Sequence, residues 1–359
     1  MSLEFVIDGP PHGEPLVLGP SLGTTARLWE PQLAALATRF RVVRFELPAL
    51  SSMEELAAAV VKLADELGFA AFHYAGVSIG GAIGATLALT HPSRLRSLAL
   101  VCSAARFGEP DGWHERARLV RAQGTGPLAD LARQRWFAVP PQPGDAVREA
   151  LLADLAAADQ QAYAACCEAL AGFDVRDRLG EIGVPTLVLA GRDDPATPPA
   201  QARLLADGIP GATLVELAGA GHQATVDRPA QVTAALLAHL PAASGTAVRR
   251  EVLGDEHVDR ALARTTPFTR DFQDLITRYA WGEIWTRPGL DRRTRSCVTL
   301  TALVARGHLE ELALHVRAAR RNGLSADEIG EVLLQTAIYC GVPAANAAFA
   351  VAQRVLEDE

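Results

Sequence analysis

One serine in this chain stands where a nucleophile would. Gly76-Val77-Ser78-Ile79-Gly80-Gly81 follows the apolar run AFHYAGV (71–77) and precedes AIGATLALTHP (82–92), a run of helical character. A sharp strand-to-helix turn exposes a serine hydroxyl, its glycines avoid backbone clashes, and the nearby helix N-terminus favours negative charge. With glycine at 30 of 359 positions the bare pattern arises by chance. The strand before it and the helix after it therefore carry the inference. A hydroxyl attacks when a base takes its proton, and that base is held by an acid. Both occur downstream, in the order Ser, acid, His. Gly191-Arg192-Asp193-Asp194-Pro195 ends the apolar run TLVLAG (186–191), and Gly219-Ala220-Gly221-His222-Gln223 follows TLVEL (213–217). His222 is the expected base. Either aspartate could be its partner; Asp194, at the usual distance from Gly191, is preferred to Asp193. A tetrahedral oxyanion also needs main-chain donors. The N–H of Ile79 is one, and the loop Gly19-Pro20-Ser21-Leu22-Gly23-Thr24 offers Leu22 as the other, since Pro20 has no N–H.

A second set of chemically able residues lies far downstream. Tyr279-Ala280-Trp281-Gly282-Glu283-Ile284-Trp285 leads into Arg287-Pro288-Gly289-Leu290, then Arg292, Arg293 and Arg295. His308, Glu311 and His315 follow at i, i+3, i+7 and could share a helix face. That spacing is not His-Glu-x-x-His and no further ligand cluster accompanies it, so no metal is expected. His308 reads as a solvated helix start. His315, among Leu312, Leu314, Val316 and Ala319, fits a packed core histidine as well as a reactive one. The arginine run fits a solvated helix start, and Trp281 with Trp285 fits core packing. Of the other histidines, His12, His91 and His239 read as solvated and His73 as a core residue.

These residues need elements to place them. Short apolar runs rich in β-branched residues occur at 15–19, 41–45, 71–77, 97–103, 186–191 and 213–217. Helical periodicity lies between several of them, as in MEELAAAVVKLADEL (53–67). The pattern predicts a mostly parallel sheet with helices on both faces. Between about 106 and 172 the strand signal vanishes. That helical stretch, with Trp113, Trp136 and a break at PPQPG (140–144), is expected to cap the strand ends. A helix runs to about Leu240, and PAASGTA (241–247) then reads as a linker without periodicity. Beyond it only helices are expected, at 255–264, 269–281, 292–307, 309–323, 325–341 and 343–356. Ser325 with Glu328 forms a capping box, and Gly323 stops the preceding helix. The domains are therefore 1–240 and 248–359.

The chain has 359 residues, 49% hydrophobic and 21% charged, which is enough for two ordinary globular domains. A net charge of −8 argues against wrapping nucleic acid or docking on anionic lipid. No nucleic-acid or membrane partner is expected; the apolar runs are too short and broken for a span. The start MSLEFVIDGP lacks the basic-then-apolar pattern of a secretion signal. The five cysteines (Cys102, Cys166, Cys167, Cys297 and Cys340) are odd in number and not framework-spaced. They fit a reducing compartment, so the cytoplasm is the expected location. Cys297 and Cys340 read as buried thiols. A single lysine, Lys62, against 33 arginines is read as base composition rather than function.

On GPSLGTTARLWEPQ (19–32), the GVSIGG elbow and Arg135-Trp136-Phe137, residues 3–240 resemble the 3-oxoadipate enol-lactonases of the α/β-hydrolase superfamily. The resemblance implies an α/β hydrolase fold with a helical cap, a Ser78–His222–Asp194 triad and substrate contact by Trp136. There is one departure. Such enzymes carry an Asp-x-x-Gly-His-Gly-type loop after the RVVRF strand, whereas Phe45-Glu46-Leu47-Pro48-Ala49-Leu50-Ser51 runs almost directly into the next helix. One pocket wall is therefore expected to differ. On WGEIWTRPGLDRRTRS, EELALHVRAARRNG and AIYCGVPAANAAF, residues 268–349 resemble the 4-carboxymuconolactone decarboxylase family, which implies an all-α decarboxylase domain. Redox relatives of that fold need Cys-x-x-Cys before the histidine. Arg306-Gly307-His308-Leu309-Glu310-Glu311-Leu312 has no cysteine, which excludes thiol redox chemistry. The resemblance implies decarboxylation with no cofactor, because the unsaturated lactone is its own electron sink. Arg287 would bind a carboxylate, His315 would give a proton or stabilise the dienolate, and Glu283 would share or orient that transfer. It also implies a homo-oligomer assembled through the C-terminal domain. Together the two halves imply a bifunctional enzyme acting on small-molecule lactones in protocatechuate breakdown, the β-ketoadipate pathway. Two rival readings remain: an esterase or cofactor-free perhydrolase whose second domain serves assembly only, and a non-catalytic small-ligand receptor.

Overall fold

The apolar runs of the first half become the strands of one seven-stranded sheet. They are β1 (Phe5–Asp8), β2 (Glu14–Gly19), β3 (Phe40–Phe45), β4 (Phe72–Val77), β5 (Leu95–Val101), β6 (Thr186–Gly191) and β7 (Thr213–Leu217). Their order is β1-β3-β2-β4-β5-β6-β7. All neighbours run parallel except β1, which pairs antiparallel with β3. The computed structural model describes residues 3–11, 13–139, 145–240, 245–266, 268–287 and 289–357. It divides into two compact units, Met1–Pro241 and Ala242–Glu359. Six strands lie within two residues of their expected spans. Strand β1 was not anticipated: Phe5, Val6 and Ile7 are all exposed, so no alternation marks it. Backbone pairing from Phe5 opposite Phe45 to Asp8 opposite Val42 holds it, with an Arg44–Asp8 ion pair at 2.8 Å.

Helices α1 (Glu30–Leu36), α2 (Met53–Glu66) and α3 (Ile79–Thr90) flank the sheet. The Ser52 side chain caps α2 by accepting the Glu55 N–H, and Met53, Leu56, Val60 and Leu63 are buried at helical spacing. Helix α3 is buried from Ile79 through Ala88. Helices α4 (Pro110–Gln123), α5 (Ala129–Trp136), α6 (Ala146–Ala157) and α7 (Gln160–Gly172) lie between β5 and β6, where the cap was expected. Helix α8 (Pro199–Gly208) joins β6 to β7, and α9 (Ala224–Asp227) and α10 (Pro229–His239) follow β7. His73 is fully buried on β4, with Nδ1 2.8 Å from Ser97 Oγ. His239 corrects an expectation. It is half-buried, with Nε2 2.9 Å from the Leu98 carbonyl oxygen, because the end of α10 lies back over the sheet. His12 and the 140–144 break lie outside the described residues.

The second unit is helical throughout its described residues. It contains α11 (Gly245–Leu253), α12 (Asp255–Ala263), α13 (Arg270–Ile276), a π-helix (Thr277–Ile284), α14 (Arg292–Arg306), α15 (Leu309–Arg321), α16 (Ala326–Cys340) and α17 (Val342–Glu357). One apolar core joins Leu300, Val304, Leu312, Val316, Ile329 and Leu333 to Ala348 and Val351. A smaller one joins Val248, Val252, Leu253 and Val258 to Trp281 and Ala318. Three expectations change. Residues 245–247 are the first turn of α11 rather than linker, because Val248 and Val252 repeat at i, i+4 into the smaller core; 241–244 lie outside the described residues. The helix expected over 269–281 turns into a π-helix at Thr277, a distinction that apolar periodicity over eight residues does not carry. Cys297 and Cys340 are half-buried rather than buried, since they sit at the margin of the larger core. The Ser325–Glu328 capping box is present, and Gly323 follows the end of α15. No helix among the described residues is long and apolar enough to cross a membrane.

Candidate active site

Parallel pairing brings the C-terminal ends of the strands to one edge, where loops can gather reactive groups. Gly19 of β2 lies opposite Gly76 of β4, so the Pro20–Thr24 loop and the Ser78 turn start side by side. Ser78 has φ 56° and ψ −115°, and α3 begins at the next residue. The turn demands glycine on both sides. A Cβ on Gly76 would stand 2.2 Å from the Gly80 carbonyl, and one on Gly80 would stand 2.7 Å from the Gly19 and Pro20 oxygens. Such a backbone costs about 1–3 kcal/mol and persists only where its surroundings over-determine it. Here the Ser78 N–H donates to the Val101 carbonyl (2.9 Å) and the Ser103 hydroxyl donates to the Ser78 carbonyl (2.9 Å). Ser103 carries no sequence signal for that role.

His222, after β7, has Nδ1 2.9 Å from Oδ2 of Asp194, after β6, and both residues are buried. Asp193 is exposed, so Asp194 is the aspartate set against the imidazole. The Thr197 hydroxyl donates to Asp194 Oδ2 (2.7 Å), and the N–H groups of Ala196 and Thr197 donate to Oδ1 (2.7 and 3.0 Å). Burial alone would push the Asp194 carboxyl up, but the imidazole beside it and the Thr197 bonds outweigh that and hold it below its ordinary value. Thr197 was missed, although a Thr three residues after Asp in Asp-Pro-Ala-Thr is a turn signal. Asp227 was also missed. Its Oδ2 accepts the N–H groups of Gly221 and Ala138 (2.8 Å each), and its Oδ1 accepts Arg148 Nε and Nη2 (3.2 and 2.7 Å). One buried carboxylate therefore ties the histidine's loop to the cap. The Gln223 N–H adds a bond to the Trp136 carbonyl at 2.7 Å. Cys102, beside Asp194, is buried, and burial pushes its thiol far up, so it is a packed neutral group.

Ser78, His222, Ser21 and Leu22 line a cavity of about 110 Å³ roofed by cap residues. That is below the roughly 300–1,000 Å³ of pockets for drug-sized ligands, which points to a small substrate. Trp113, Trp136 and Tyr163 make the roof apolar, and Arg116 and Arg135 add cationic groups without an ion-pair partner among the described residues. The main-chain N–H groups of Leu22 and Ile79 likewise lack a partner among the described residues. Glu46, Leu47, Pro48 and Ala49 line a separate cleft of about 750 Å³ with Leu22, Tyr163 and Asp154.

In the second unit the sequence-selected residues differ in their exposure. His315 is half-buried on α15; burial chiefly, and then His257, holds its imidazole below its ordinary value, against an opposing pull from Glu311. Glu283, in the π-helix, and Arg287, just after it, are exposed and are not among the groups acting on His315. His308 is an exposed N-cap. In the arginine run Arg292 pairs with Glu251 and Arg293 with Glu328, while Arg295 Nη2 donates to the Arg287 carbonyl at 2.7 Å and its Nε is buried without a partner. Trp281 and Trp285 pack with ring centroids 5.3 Å apart. Two residues here were missed. His257 acts on His315 from α12, and Arg249, on α11, is buried.

Comparison with known proteins matches both units. Residues 14–229 match the alpha/beta hydrolase fold family and residues 270–354 match the carboxymuconolactone decarboxylase family. A 3-oxoadipate enol-lactonase of Acinetobacter baylyi is 33% identical over 243 residues, covering 64% of this chain and 89% of that protein. A 4-carboxymuconolactone decarboxylase of the same organism is 49% identical over 114 residues, covering 32% of this chain and 85% of that protein. The crystal structure of the enol-lactonase from Burkholderia xenovorans LB400 matches with a TM-score of 0.61 at 36% identity, over 66% of this chain and 96% of that one. The chain is thus an enzyme in two parts, belonging to the α/β-hydrolase fold family through its first unit and to the carboxymuconolactone decarboxylase family through its second.

Proposed function

We propose that the chain catalyses two consecutive reactions of protocatechuate breakdown in the β-ketoadipate pathway: its second unit decarboxylates 4-carboxymuconolactone to 3-oxoadipate enol-lactone, and its first unit hydrolyses that lactone to 3-oxoadipate. The reading rests on one observation above all: a buried Asp194–His222 pair shares a small, cationic-roofed cavity with a serine on a strained turn. Ser78 Oγ attacks the lactone carbonyl while His222 takes its proton. The tetrahedral oxyanion is received by the N–H groups of Leu22 and Ile79. Collapse breaks the ring C–O bond, and the imidazolium protonates the departing enol oxygen. Water, deprotonated by His222, then releases the acyl group from Ser78. Asp194 holds the imidazole tautomer. Trp136 packs the substrate, and Arg116 and Arg135 suit its carboxylate.

In the second unit the C–CO2 bond breaks, its electron pair enters the ring, and the lactone carbonyl oxygen takes the charge as a dienolate. His315 delivers the proton to ring carbon or stabilises that oxygen, Glu283 assists the transfer, and Arg287 binds a carboxylate. No cofactor is needed because the conjugated carbonyl accepts the electrons. We also assign self-association to this unit. Leu334, Ile338, Tyr339, Val342 and Phe349 on α16 and α17 are 40–79% exposed, a patch that fits a subunit interface. The cytoplasm is the proposed location, on cysteine usage.

The test is a spectrophotometric assay of purified full-length chain on each lactone. Ser78→Ala lowers lactone hydrolysis by at least about 10³-fold and leaves CO2 release intact. His315→Ala does the reverse. Loss of both activities in either variant, or unchanged hydrolysis in Ser78→Ala, overturns the assignment.

A further inference from the structure

The second unit holds a buried arginine, whereas the arginines that pair with carboxylates around it are exposed or half-exposed. Arg250 pairs with Asp255 and Asp259, Arg260 with Glu256, Arg292 with Glu251 and Arg293 with Glu328, all at exposed or half-exposed positions. Arg249 is only 6% exposed and has no carboxylate partner among the described residues. Its Nη1 donates to Gln273 Oε1 (3.1 Å) and Thr277 Oγ1 (3.3 Å), two neutral acceptors. Its Nε is sealed from solvent with no partner. Nη2 is not among the sealed unpartnered atoms, and among the described residues the guanidinium's hydrogen bonds run from Nη1 alone. A guanidinium does not shed its proton in a protein, so its buried charge calls for an anion from elsewhere. The vacant Nε–Nη2 edge is one that pairs a carboxylate through two parallel bonds.

The neighbours suit a substrate. Gln273 and Thr277 anchor the guanidinium at the entry to the π-helix, an irregularity frequent at functional sites. His257 lies within electrostatic reach of both Arg249 and His315, so the three cationic or titratable groups share one region of the unit. Val248 and Val252, on the same helix as Arg249, belong with Trp281 to the smaller apolar cluster.

We propose that Arg249 is a substrate-binding residue of the second unit, receiving through its Nε–Nη2 edge the carboxylate that the substrate keeps. The assignment rests on the decarboxylase reading above. A dicarboxylate substrate loses one carboxylate and retains the other. An arginine clamped on the departing group would stabilise it in the ground state and slow the reaction. An arginine on the retained group anchors the ring without that penalty.

The test uses the full-length chain. Arg249→Gln raises KM for 4-carboxymuconolactone by about 10- to 100-fold with kcat within about threefold, because binding common to ground and transition state is lost. Arg249→Lys, which keeps the charge without the fork, gives an intermediate KM and covers the case in which the glutamine variant fails to fold. Added guanidinium ion restores part of the loss in Arg249→Ala and has no such effect on the wild type. Lactone hydrolysis by the first unit is unchanged in all three. An unchanged KM in the lysine and glutamine variants, or a fall in kcat at constant KM, overturns the proposal. Succinate titration, followed by the His257 ring resonances, separates this from the parent reading. If the wild type releases no CO2 but succinate shifts those resonances only when Arg249 is present, the carboxylate site stands and the decarboxylase reading falls. If CO2 is released with an Arg249-independent KM, the site falls and the reading stands.

Discussion

Replacing Asp227 by asparagine tests whether one carboxylate couples the cap to the loop that carries His222. Four donors converge on it: Gly221 and Ala138 N–H on Oδ2, and two Arg148 nitrogens on Oδ1. Asparagine keeps one acceptor oxygen and turns an NH2 toward the other pair, so two donors lose their partner in either orientation. If those are the main-chain groups, each orphaned N–H costs about 1–3 kcal/mol. If they are on Arg148, losing a buried partner costs about 3–5 kcal/mol in the limit. That figure is reduced here, because Arg148 is 22% exposed and retains Asp145. Two orphaned N–H groups amount to about 2–6 kcal/mol and the reduced Arg148 cost falls below about 3–5 kcal/mol, so a loss of about 2–4 kcal/mol is common to both routes. In a domain of this size each kcal/mol moves the melting temperature by about 2–4 °C, so the first unit melts roughly 5–15 °C lower. Gly221 adjoins His222, so turnover at 25 °C also falls, by about 10- to 100-fold for a modest loss of alignment. Calorimetry of the full chain and lactone hydrolysis at 25 °C read the two effects. A variant that melts within about 2 °C of wild type with unchanged turnover refutes the coupling.

Two further outcomes are expected. Asp194→Asn lowers kcat for lactone opening by about 10⁴-fold, as loss of tautomer control does in such triads, whereas Asp193→Asn changes it less than about twofold; equal effects would undo the assignment. Stability of the second unit depends on pH through His257 and His315, both held below their ordinary value chiefly by burial. A depressed folded-state pKa means that the unfolded chain binds more protons below about pH 6.5, so the contribution is present above that value and is lost as pH falls toward the folded pKa. Urea midpoints at pH 7.5 and 5.5 measure this, and His257→Asn with His315→Asn flattens the difference; equal midpoints in the wild type would contradict it.

Ser78, Asp194 and His222 were legible as candidates because each stands just past the end of an apolar run, and a parallel sheet sends all such ends to one edge. The choice between Asp193 and Asp194 was not settled by residue type; the turn buries one and exposes the other. Asp227 and Ala138 are 89 residues apart, and no local pattern announces a bond across that distance. Helices of the second unit were legible from periodicity, but their side-chain environments were not. Arg249 and Arg250 are neighbours of one type, yet one turns into the apolar cluster while the other reaches Asp255 and Asp259 at the surface. Glu283 and Arg287 were selected by resemblance; they are exposed on the π-helix and the turn after it, whereas His315 is half-buried.

Each unit closes its own apolar core on a single polypeptide. Translation therefore delivers both catalysts in equal copy number, and no change in gene dosage alters that ratio. Under the proposed reaction order, the ratio of decarboxylating to hydrolysing capacity is set by the quotient of the two turnover rates alone. A sluggish hydrolase could not gain on its partner by making more of the chain, so selection on that ratio must act on rate constants rather than on expression.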